Sequence, residues 1–423
     1  MSNSNDAGAD DALAADAAAN LSAAEQALQA EVRAWLNSHW DPALRSAPGT
    51  TPGVQTEAQR AWLAKVVDAR WAVTRWPTEW FGRSFDDAQA RIVEREFNRV
   101  GAFGTAQDRT NLWANTALAF GNDAFKAKFV RGLLCNEINM CLLYSEPGAG
   151  SDLAGIRTRA DRDGDSWVAN GQKVWTSNAV KADYGMLIAR TDWDVPKHKG
   201  ISFFFLPMKQ PGVDIRPLRQ ITNEAHFNQV FITDARIPAD NLLGKVHNGW
   251  GVLQTALAYE RSVMGEGARG TRSGAANAAQ QGEEELIALA REAGVLNDPV
   301  LRQDIARVIA YKKLNAMNTA RAKAELAQGT SSPIMSLGKL AMSRILHEEA
   351  RLRTAMLGAA SLLEGPEYPR AEDANFLSLN AYFTSIGGGT DQIQRNIIGE
   401  RVLGLPKEPE VDRDVPFRSV RSG

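Results

Sequence analysis

Apolar residues recur at helical spacing through the first third of the chain. Leu28, Val32 and Leu36 are separated by charged positions, and residues 86–100 repeat the pattern. Between them, residues 71–83 contain Pro77, Gly82 and several tryptophans, which favours a packed irregular connection over a helix interior. The first 24 residues hold little that could be buried, so we predict a mobile leader over 1–24 and a helical domain over 25–143.

The pattern changes near Ser145 to short alternating, β-branched and aromatic segments. They predict strands at residues 166–169, 173–177, 184–191, 201–206 and 229–232. Asn170 and Gly171 lie between two of these segments, and an Asn-Gly pair is typical of a two-residue hairpin turn. Helical spacing returns after Pro238 and persists to about Val402. The sequence thus predicts an α+β protein whose β domain (144–244) is followed by a second helical domain (245–423).

Composition narrows the functional class. The chain has 423 residues, and its net charge of −2 provides no basic field for nucleic acid. No apolar run is long enough to cross a membrane, and the first basic residue is Arg33, so we expect no signal peptide and a cytoplasmic location. The two cysteines, Cys135 and Cys141, fit neither a disulfide framework nor a metal site, and we expect no metal.

The motif YSEPGAGSDLAG, at residues 144–155, is a candidate anion-binding loop. Gly148, Gly150 and Ser151 leave backbone amides near a tight turn, and such amides attract phosphate. A glycine-rich turn that opens a β domain is more often only a turn, so both interpretations remain open.

The motif NGQKVWTSN, at residues 170–178, is a candidate surface for a planar ligand. Trp175 stands beside the hydroxyls of Thr176 and Ser177 on a predicted strand, so one face could offer a flat ring and a donor. The alternative is a core tryptophan of a two-faced sheet.

A carboxylate interrupts the apolar stripe of the helix that begins near Asn248. Leu253, Leu257 and Met264 mark that stripe, Glu260 falls on it, and Arg261 borders it. A carboxylate in such a place is commonly an ion-paired structural group. The functional alternative is a general base whose pKa is raised by desolvation.

Taken in order, these segments resemble the acyl-CoA dehydrogenase family. The resemblance runs from about Ala27 to Pro406 and includes NEAHFNQVFITDARIPADNLLG at 223–244 and IGGGTDQIQRNIIGERVLGLP at 386–406. It implies an N-terminal helical domain, a middle β domain and a C-terminal four-helix domain. It also implies FAD at subunit interfaces of a tetramer.

The resemblance implies roles for individual residues. Ser145, Gly150 and Ser151 match positions around the flavin and its pyrophosphate, Trp175 matches the tryptophan against the isoalloxazine ring, and Ser177 matches a hydroxyl near flavin N5. Thr390 and Gln392 match the pair that meets the FAD of the neighbouring subunit. The family's Q-x-L-G-G segment reads AMLGA at 355–359, so a glutamine that approaches the partner's FAD is missing.

The position of the base departs from the common pattern. Many members carry the catalytic glutamate directly before Gly-Thr of the C-terminal motif, where this chain has Gly388. A minority similar to isovaleryl-CoA dehydrogenase carries it on the helix where Glu260 lies. The resemblance therefore implies Glu260 as the base, the Gly388 N–H as a donor to the thioester carbonyl, and Arg261 as a substrate contact.

The activity implied is FAD-dependent α,β-dehydrogenation of an acyl-CoA to the trans-2-enoyl-CoA. The three glycines at 387–389 would leave room for a branched or bulky acyl group, including a steroid side chain. Electron-transferring flavoprotein is the implied acceptor, and a homotetramer, a homodimer and an α2β2 heterotetramer remain open. An acyl-CoA oxidase, a flavin monooxygenase and a partly degenerate subunit of a heteromeric dehydrogenase are the alternatives.

Overall fold

The computed structural model describes residues 21–45, 55–267, 278–327, 337–410 and 412–420, without the side chains of 260–267, 278–281, 323, 326 and 327. The chain divides into two compact units, residues 1–139 and 140–423. Most of the predicted leader lies outside the described residues. Within the described part, no helix is both long and apolar enough to span a membrane.

The first unit is helical, as the apolar spacing predicts. Leu28, Val32 and Leu36 are buried on one face of its first helix. Three of its helices begin with capping boxes, in which a side chain at the helix start and one three residues later satisfy each other's backbone N–H groups. Its helices are α1 (Ala23–His39), α2 (Glu57–Asp68), α3 (Asp87–Val100), α4 (Gln107–Thr110), α5 (Leu112–Phe120) and α6 (Asp123–Leu134).

Tryptophans make much of the core of this unit. Trp62 and Trp71 are almost fully buried. The Trp35 ring is tilted against both of them and stacks on Phe97. The guanidinium of Arg83 lies 3.3 Å from the centroid of the Trp71 ring. The predicted irregular connection at 71–83 is confirmed: it consists of bends, turns and one short 3₁₀ segment, packed by these aromatic rings.

The second unit begins with a mixed sheet, and the α, β, α order of the prediction is confirmed. Its seven described strands are β1 (Met140–Leu143), β2 (Arg159–Asp163), β3 (Ser166–Ser177), β4 (Tyr184–Arg190), β5 (Ile201–Pro207), β6 (Val213–Leu218) and β7 (Phe227–Pro238). They lie in the order β1-β4-β2-β3-β7-β6, and β5 pairs with β4. The pairing of β1 with β4 is parallel, whereas β3 with β7 and β4 with β5 are antiparallel.

The hairpin prediction at Asn170 and Gly171 is wrong. These residues lie inside β3, and the turn between β2 and β3 is made instead around Gly164, whose φ is 55°. The pair marks an irregularity opposite β7, where the Asn170 side chain exchanges hydrogen bonds with Asp234. A Cβ at Gly171 would come within 2.3 Å of Thr158 Oγ1, so the glycine serves close packing of two backbones.

Helices follow the sheet: α7 (Gly249–Gly267), α8 (Ala278–Glu292), α9 (Pro299–Ala327), α10 (Gly338–Leu357), α11 (Pro369–Ile386) and α12 (Asp391–Ile397). Helix α7 packs on β5. Leu286 and Leu289 pack with Val308, Leu352 and Met356 in a separate helical core.

Candidate active site

Residues 144–158, called the glycine loop below, connect β1 to β2 and are closed at their base by a buried ion pair. Lys173, in β3, has no exposed surface, and its Nζ donates to the Tyr144 carbonyl at 3.0 Å and to Glu146 Oε1 at 2.9 Å. The Glu146 carboxylate also accepts the N–H groups of Arg157 at 2.7 Å and Thr158 at 2.9 Å. One carboxylate therefore joins both ends of the loop.

This carboxylate stays ionised. Burial alone would raise the pKa of Glu146, but the charge of Lys173 and the donated hydrogen bonds outweigh burial and lower that pKa. The sequence-based reasoning missed this pair because Glu146 and Lys173 are 27 positions apart. The available signal was a charged residue, Lys173, directly before the apolar Val174 and Trp175 in a predicted strand.

The tip of the glycine loop is open. Glu146 and Ala149 exchange backbone hydrogen bonds of 3.0 and 3.1 Å, which make a tight turn. A Cβ built on Gly148 or Gly150 would meet nothing within 4 Å, and Gly150 and Ser151 are exposed. Among the described residues, none therefore blocks the approach of a ligand to the backbone at Gly148 and Gly150.

Trp175 is neither a core residue nor an ordinary strand residue. Its side chain is 57% exposed, and its φ is 61°, in the left-handed region that bulky residues rarely adopt. The β3 to β7 register shifts between Lys173 and Thr176, so Trp175 lies on a bulge. Bulges redirect side chains, and strained backbone clusters at ligand sites. The core alternative is thus excluded.

Aromatic packing connects Trp175 to the last helices. Its ring lies edge-on to Phe227 at 5.9 Å, and Phe227 lies 5.7 Å from Phe383 of α11. A Cβ on Gly387 would contact Phe383 at 3.0 Å, which places the glycine turn 387–389 beside the same cluster. Ser177 is exposed at the end of β3 and pairs with Phe227.

Ser145 is also close to this strand. Its carbonyl accepts the Val174 N–H at 2.9 Å. The structure thus brings Ser145, Trp175, Ser177 and Gly388 into one region of the second unit.

The glycine turn needs its glycines. Gly388 and Gly389 have φ values of 66° and 88°, and the Gly388 carbonyl accepts a hydrogen bond of 3.3 Å from the Gln394 side chain. Thr390 caps the N-terminus of α12, and its hydroxyl accepts the Ile393 N–H at 3.2 Å. Gln392 is exposed on the first turn of that helix. Any side chain at 388 would have to adopt a left-handed backbone.

The proposed base lies on α7. The backbone of Glu260 and Arg261 belongs to this helix, but both side chains lie outside the described residues, so their roles stay predictions. The earlier turns of α7 are anchored by packing, because Val252, Leu253 and Ala256 are completely buried.

Arg190, at the end of β4, is a second buried cation that the sequence reasoning missed. It has no exposed surface, and it donates to the carbonyls of Ala154 at 2.7 Å, Ile156 at 3.2 Å and Lys197 at 3.1 Å. Two of these carbonyls belong to the glycine loop. Burial lowers the pKa of Arg190 to about 10, so it remains charged at neutral pH.

Three domain models of one family match the chain. The acyl-CoA dehydrogenase N-terminal domain matches residues 22–137, the middle domain 141–234 and the C-terminal domain 247–403. The acyl-CoA dehydrogenase IpdE1 of Mycobacterium tuberculosis is 34% identical over 394 residues, covering 90% of this chain and 97% of IpdE1. FadE34 of the same organism is 35% identical over 371 residues, covering 86% of this chain and 48% of FadE34.

Solved structures agree with this assignment. A structure titled "Tcur3481-Tcur3483 steroid ACAD" has a TM-score of 0.67 and 28% identity, covering 92% of this chain and 99% of that chain. The structure of the ChsE4-ChsE5 complex from M. tuberculosis has a TM-score of 0.63 and 27% identity, and the match covers 92% of this chain and 99% of that chain. The chain belongs to the acyl-CoA dehydrogenase family, the FAD-dependent oxidoreductases that act on the CH–CH bond of acyl-CoA thioesters.

Proposed function

We propose that this dehydrogenase oxidises branched or bulky acyl-CoA thioesters and that Glu260, on α7, is its base. The observation that carries the proposal is the turn at Gly388: where many members place the base, this chain has a glycine with a φ of 66° and no side chain. The relatives named dehydrogenases favour this activity over an oxidase or a monooxygenase. The structure titled as a steroid enzyme supports a bulky substrate class.

The described residues fit an FAD cofactor. The strained and exposed Trp175 offers an aromatic face, Ser177 offers a hydroxyl at the same strand end, and the open tip at Gly150 and Ser151 offers backbone amides to a pyrophosphate. FAD, when bound, accepts the hydride that leaves Cβ of the substrate. We assign Thr390 and Gln392 to the FAD of a neighbouring subunit.

Residues of this chain remove the α-proton of the substrate. The Cα–H beside a thioester is weakly acidic, so Glu260 must take the proton while negative charge on the carbonyl oxygen is stabilised. We assign that stabilisation to the Gly388 N–H. The hydrogen bond from Gln394 to the Gly388 carbonyl helps to fix this turn. Loss of one such donor typically costs about 3 kcal/mol of transition-state stabilisation.

A base on α7 leaves the glycine turn free of a carboxylate, and Gly387 to Gly389 add no side-chain volume there. This space favours a branched or ring-bearing acyl group. We assign Arg261, which follows Glu260 on α7, as a contact of the substrate. An anaerobic titration with a panel of acyl-CoAs, read by bleaching of the flavin absorbance, tests the substrate class. Far faster bleaching by butyryl-CoA than by every branched or steroid acyl-CoA contradicts it.

The base is tested with Glu260→Gln. The variant should bind flavin normally and lose bleaching by substrate, with a rate decrease of about 10²- to 10⁴-fold. Glu364→Gln, at an exposed position, is the matched control and should bleach at the wild-type rate. Bleaching by Glu260→Gln at the control rate refutes the assignment.

We further propose that the chain works as an oligomer, a homodimer, homotetramer or α2β2 heterotetramer, and that electron-transferring flavoprotein reoxidises it in the cytoplasm. Large apolar side chains that are exposed on α11 and after α12 support an interface, because exposed apolar patches commonly mark one. Tyr382 is 63% exposed, Ile386 64% and Leu403 66%. The names of these two similar solved structures each contain two proteins, and one of them is described as a complex, which supports the heteromeric form. We also propose domain limits of 25–143, 144–244 and 245–423, although the division between the two compact units falls at residue 139, because β1 (Met140–Leu143) pairs with β4 of the sheet.

A further inference from the structure

The last described segment, residues 412–420, lies beyond the C-terminal family match and folds back onto the β domain. Phe417 is only 2% exposed. Its N–H donates to the Val195 carbonyl at 2.9 Å, and the Arg418 N–H donates to the Trp193 carbonyl at 3.0 Å. The Arg418 side chain pairs with Asp194. The segment is therefore docked on the connection between β4 and β5.

The Phe417 ring covers the buried guanidinium of Arg190. The Arg190 Cζ lies 3.5 Å from the ring centroid, well within the range of a cation–π contact. The described partners of this guanidinium are the carbonyls of Ala154, Ile156 and Lys197, with no carboxylate among them. The ring face therefore helps to keep water from a charge that holds the return side of the glycine loop.

A second connection joins the same two segments. Lys197 Nζ lies 3.5 Å from Asp412 and 3.2 Å from Asp152, which directly follows Ser151. The Lys197 side chain is only 10% exposed. The segment thus reaches the glycine loop by two routes, from Phe417 through Arg190 and from Asp412 through Lys197.

We propose that residues 412–420 are a strap that holds the glycine loop in its binding conformation, with Phe417 and Arg190 as positioning residues. This inference rests on the proposed function, in which that loop binds the flavin pyrophosphate. Glu146 and Lys173 fix the base of the loop from the sheet, and the strap fixes its return side. A loop ordered before binding loses less entropy when a ligand arrives, and so binds it more tightly.

The test uses the full chain, Phe417→Ala, a chain that ends at Glu410, and Val415→Ala as the matched control. Val415 belongs to the same segment but is 37% exposed. The first measurement is amide hydrogen exchange of the flavin-free protein in peptides covering 144–158, with peptides of α3 as the reference. The second is the dissociation constant for FAD.

Phe417→Ala and the shortened chain should exchange the loop amides roughly tenfold faster and bind FAD roughly tenfold more weakly, a change of about 1.4 kcal/mol. Val415→Ala should stay within about twofold of the wild type. Wild-type loop exchange in Phe417→Ala, or equal acceleration in α3, overturns the strap. Faster loop exchange in a protein that binds no FAD in any form supports the strap and contradicts the proposed function. If loop exchange is unchanged and all forms bind FAD tightly, the strap is contradicted and the proposed function is supported.

Discussion

The buried pair of Lys173 and Glu146 makes a quantitative prediction about stability. Replacing Lys173 with Met keeps most of the side-chain volume but removes the charge and two hydrogen bonds, at 2.9 and 3.0 Å. Glu146, whose side chain is 9% exposed, would then be a buried carboxylate without its cation. Removing one partner of a buried pair typically costs about 3–5 kcal/mol. Glu146 keeps two backbone N–H donors, so we expect about 3 kcal/mol.

The cost should depend on pH with a definite sign. In the wild type the pKa of Glu146 is lowered, so its stabilising contribution is present above the unfolded pKa and is lost as pH falls through the folded value. Without Lys173, burial dominates and raises the folded pKa. The variant then gains stability relative to the wild type as the carboxyl becomes protonated. The difference between the two should be larger at pH 7 than near pH 4.5.

Urea unfolding of the flavin-free protein, followed by tryptophan fluorescence at both pH values, measures this difference. Lys209→Met is the matched control, because Lys209 pairs with Asp183 while 73% exposed, and such pairs contribute roughly 0–1 kcal/mol. If Lys173→Met costs no more than Lys209→Met at pH 7, or if its cost grows on acidification, the proposed role of the pair is wrong.

Two further predictions concern single side chains. Trp175→Ala should weaken FAD binding about tenfold, because ring stacking is lost, yet it should change the unfolding free energy by less than about 1 kcal/mol, because the ring is largely exposed. A flavin titration measures the affinity and a urea unfolding curve measures the stability. Unchanged affinity would exclude contact between Trp175 and the flavin. Burial raises the pKa of Cys135 and of Cys141 to about 12, so neither thiol should react with a disulfide reagent at pH 8 until the protein is unfolded; fast labelling of the native protein would contradict their burial.

The sequence predicted the order of the domains and, among the individual helices, α1, α3 and α7, because apolar spacing there reflects burial directly. Residues 86–100 illustrate this: Asp86 caps α3, and Ile92, Val93 and Phe97 form its buried face. The hairpin prediction at Asn170 and Gly171 failed because an Asn-Gly pair can also lie inside an irregular strand, here where Gly171 packs closely on Thr158 and Asn170 bonds to Asp234. Only the pairing of β3 with β7 decides between them.

Only some residues of the candidate site could be predicted, because sequence motifs do not show long-range contacts. Motifs located Trp175 and the glycine loop, since their residue types are unusual where they occur. Lys173 and Arg190 escaped because a single charged residue in a strand usually faces solvent, and their carbonyl partners leave no mark in the sequence. Phe417 escaped because it lies outside every motif, and its partner Arg190 is 227 positions earlier in the chain.

The conformation of Gly388 also limits how this enzyme could be redesigned. Grafting a carboxylate onto that position would place a branching carbon on backbone with a φ of 66°, at an expense of about 1–2 kcal/mol before any gain in rate. The Gln394 hydrogen bond opposes relaxation of the turn. A single substitution that moved the base to residue 388 would therefore have to offset this cost, or be combined with a rebuilt junction between α11 and α12.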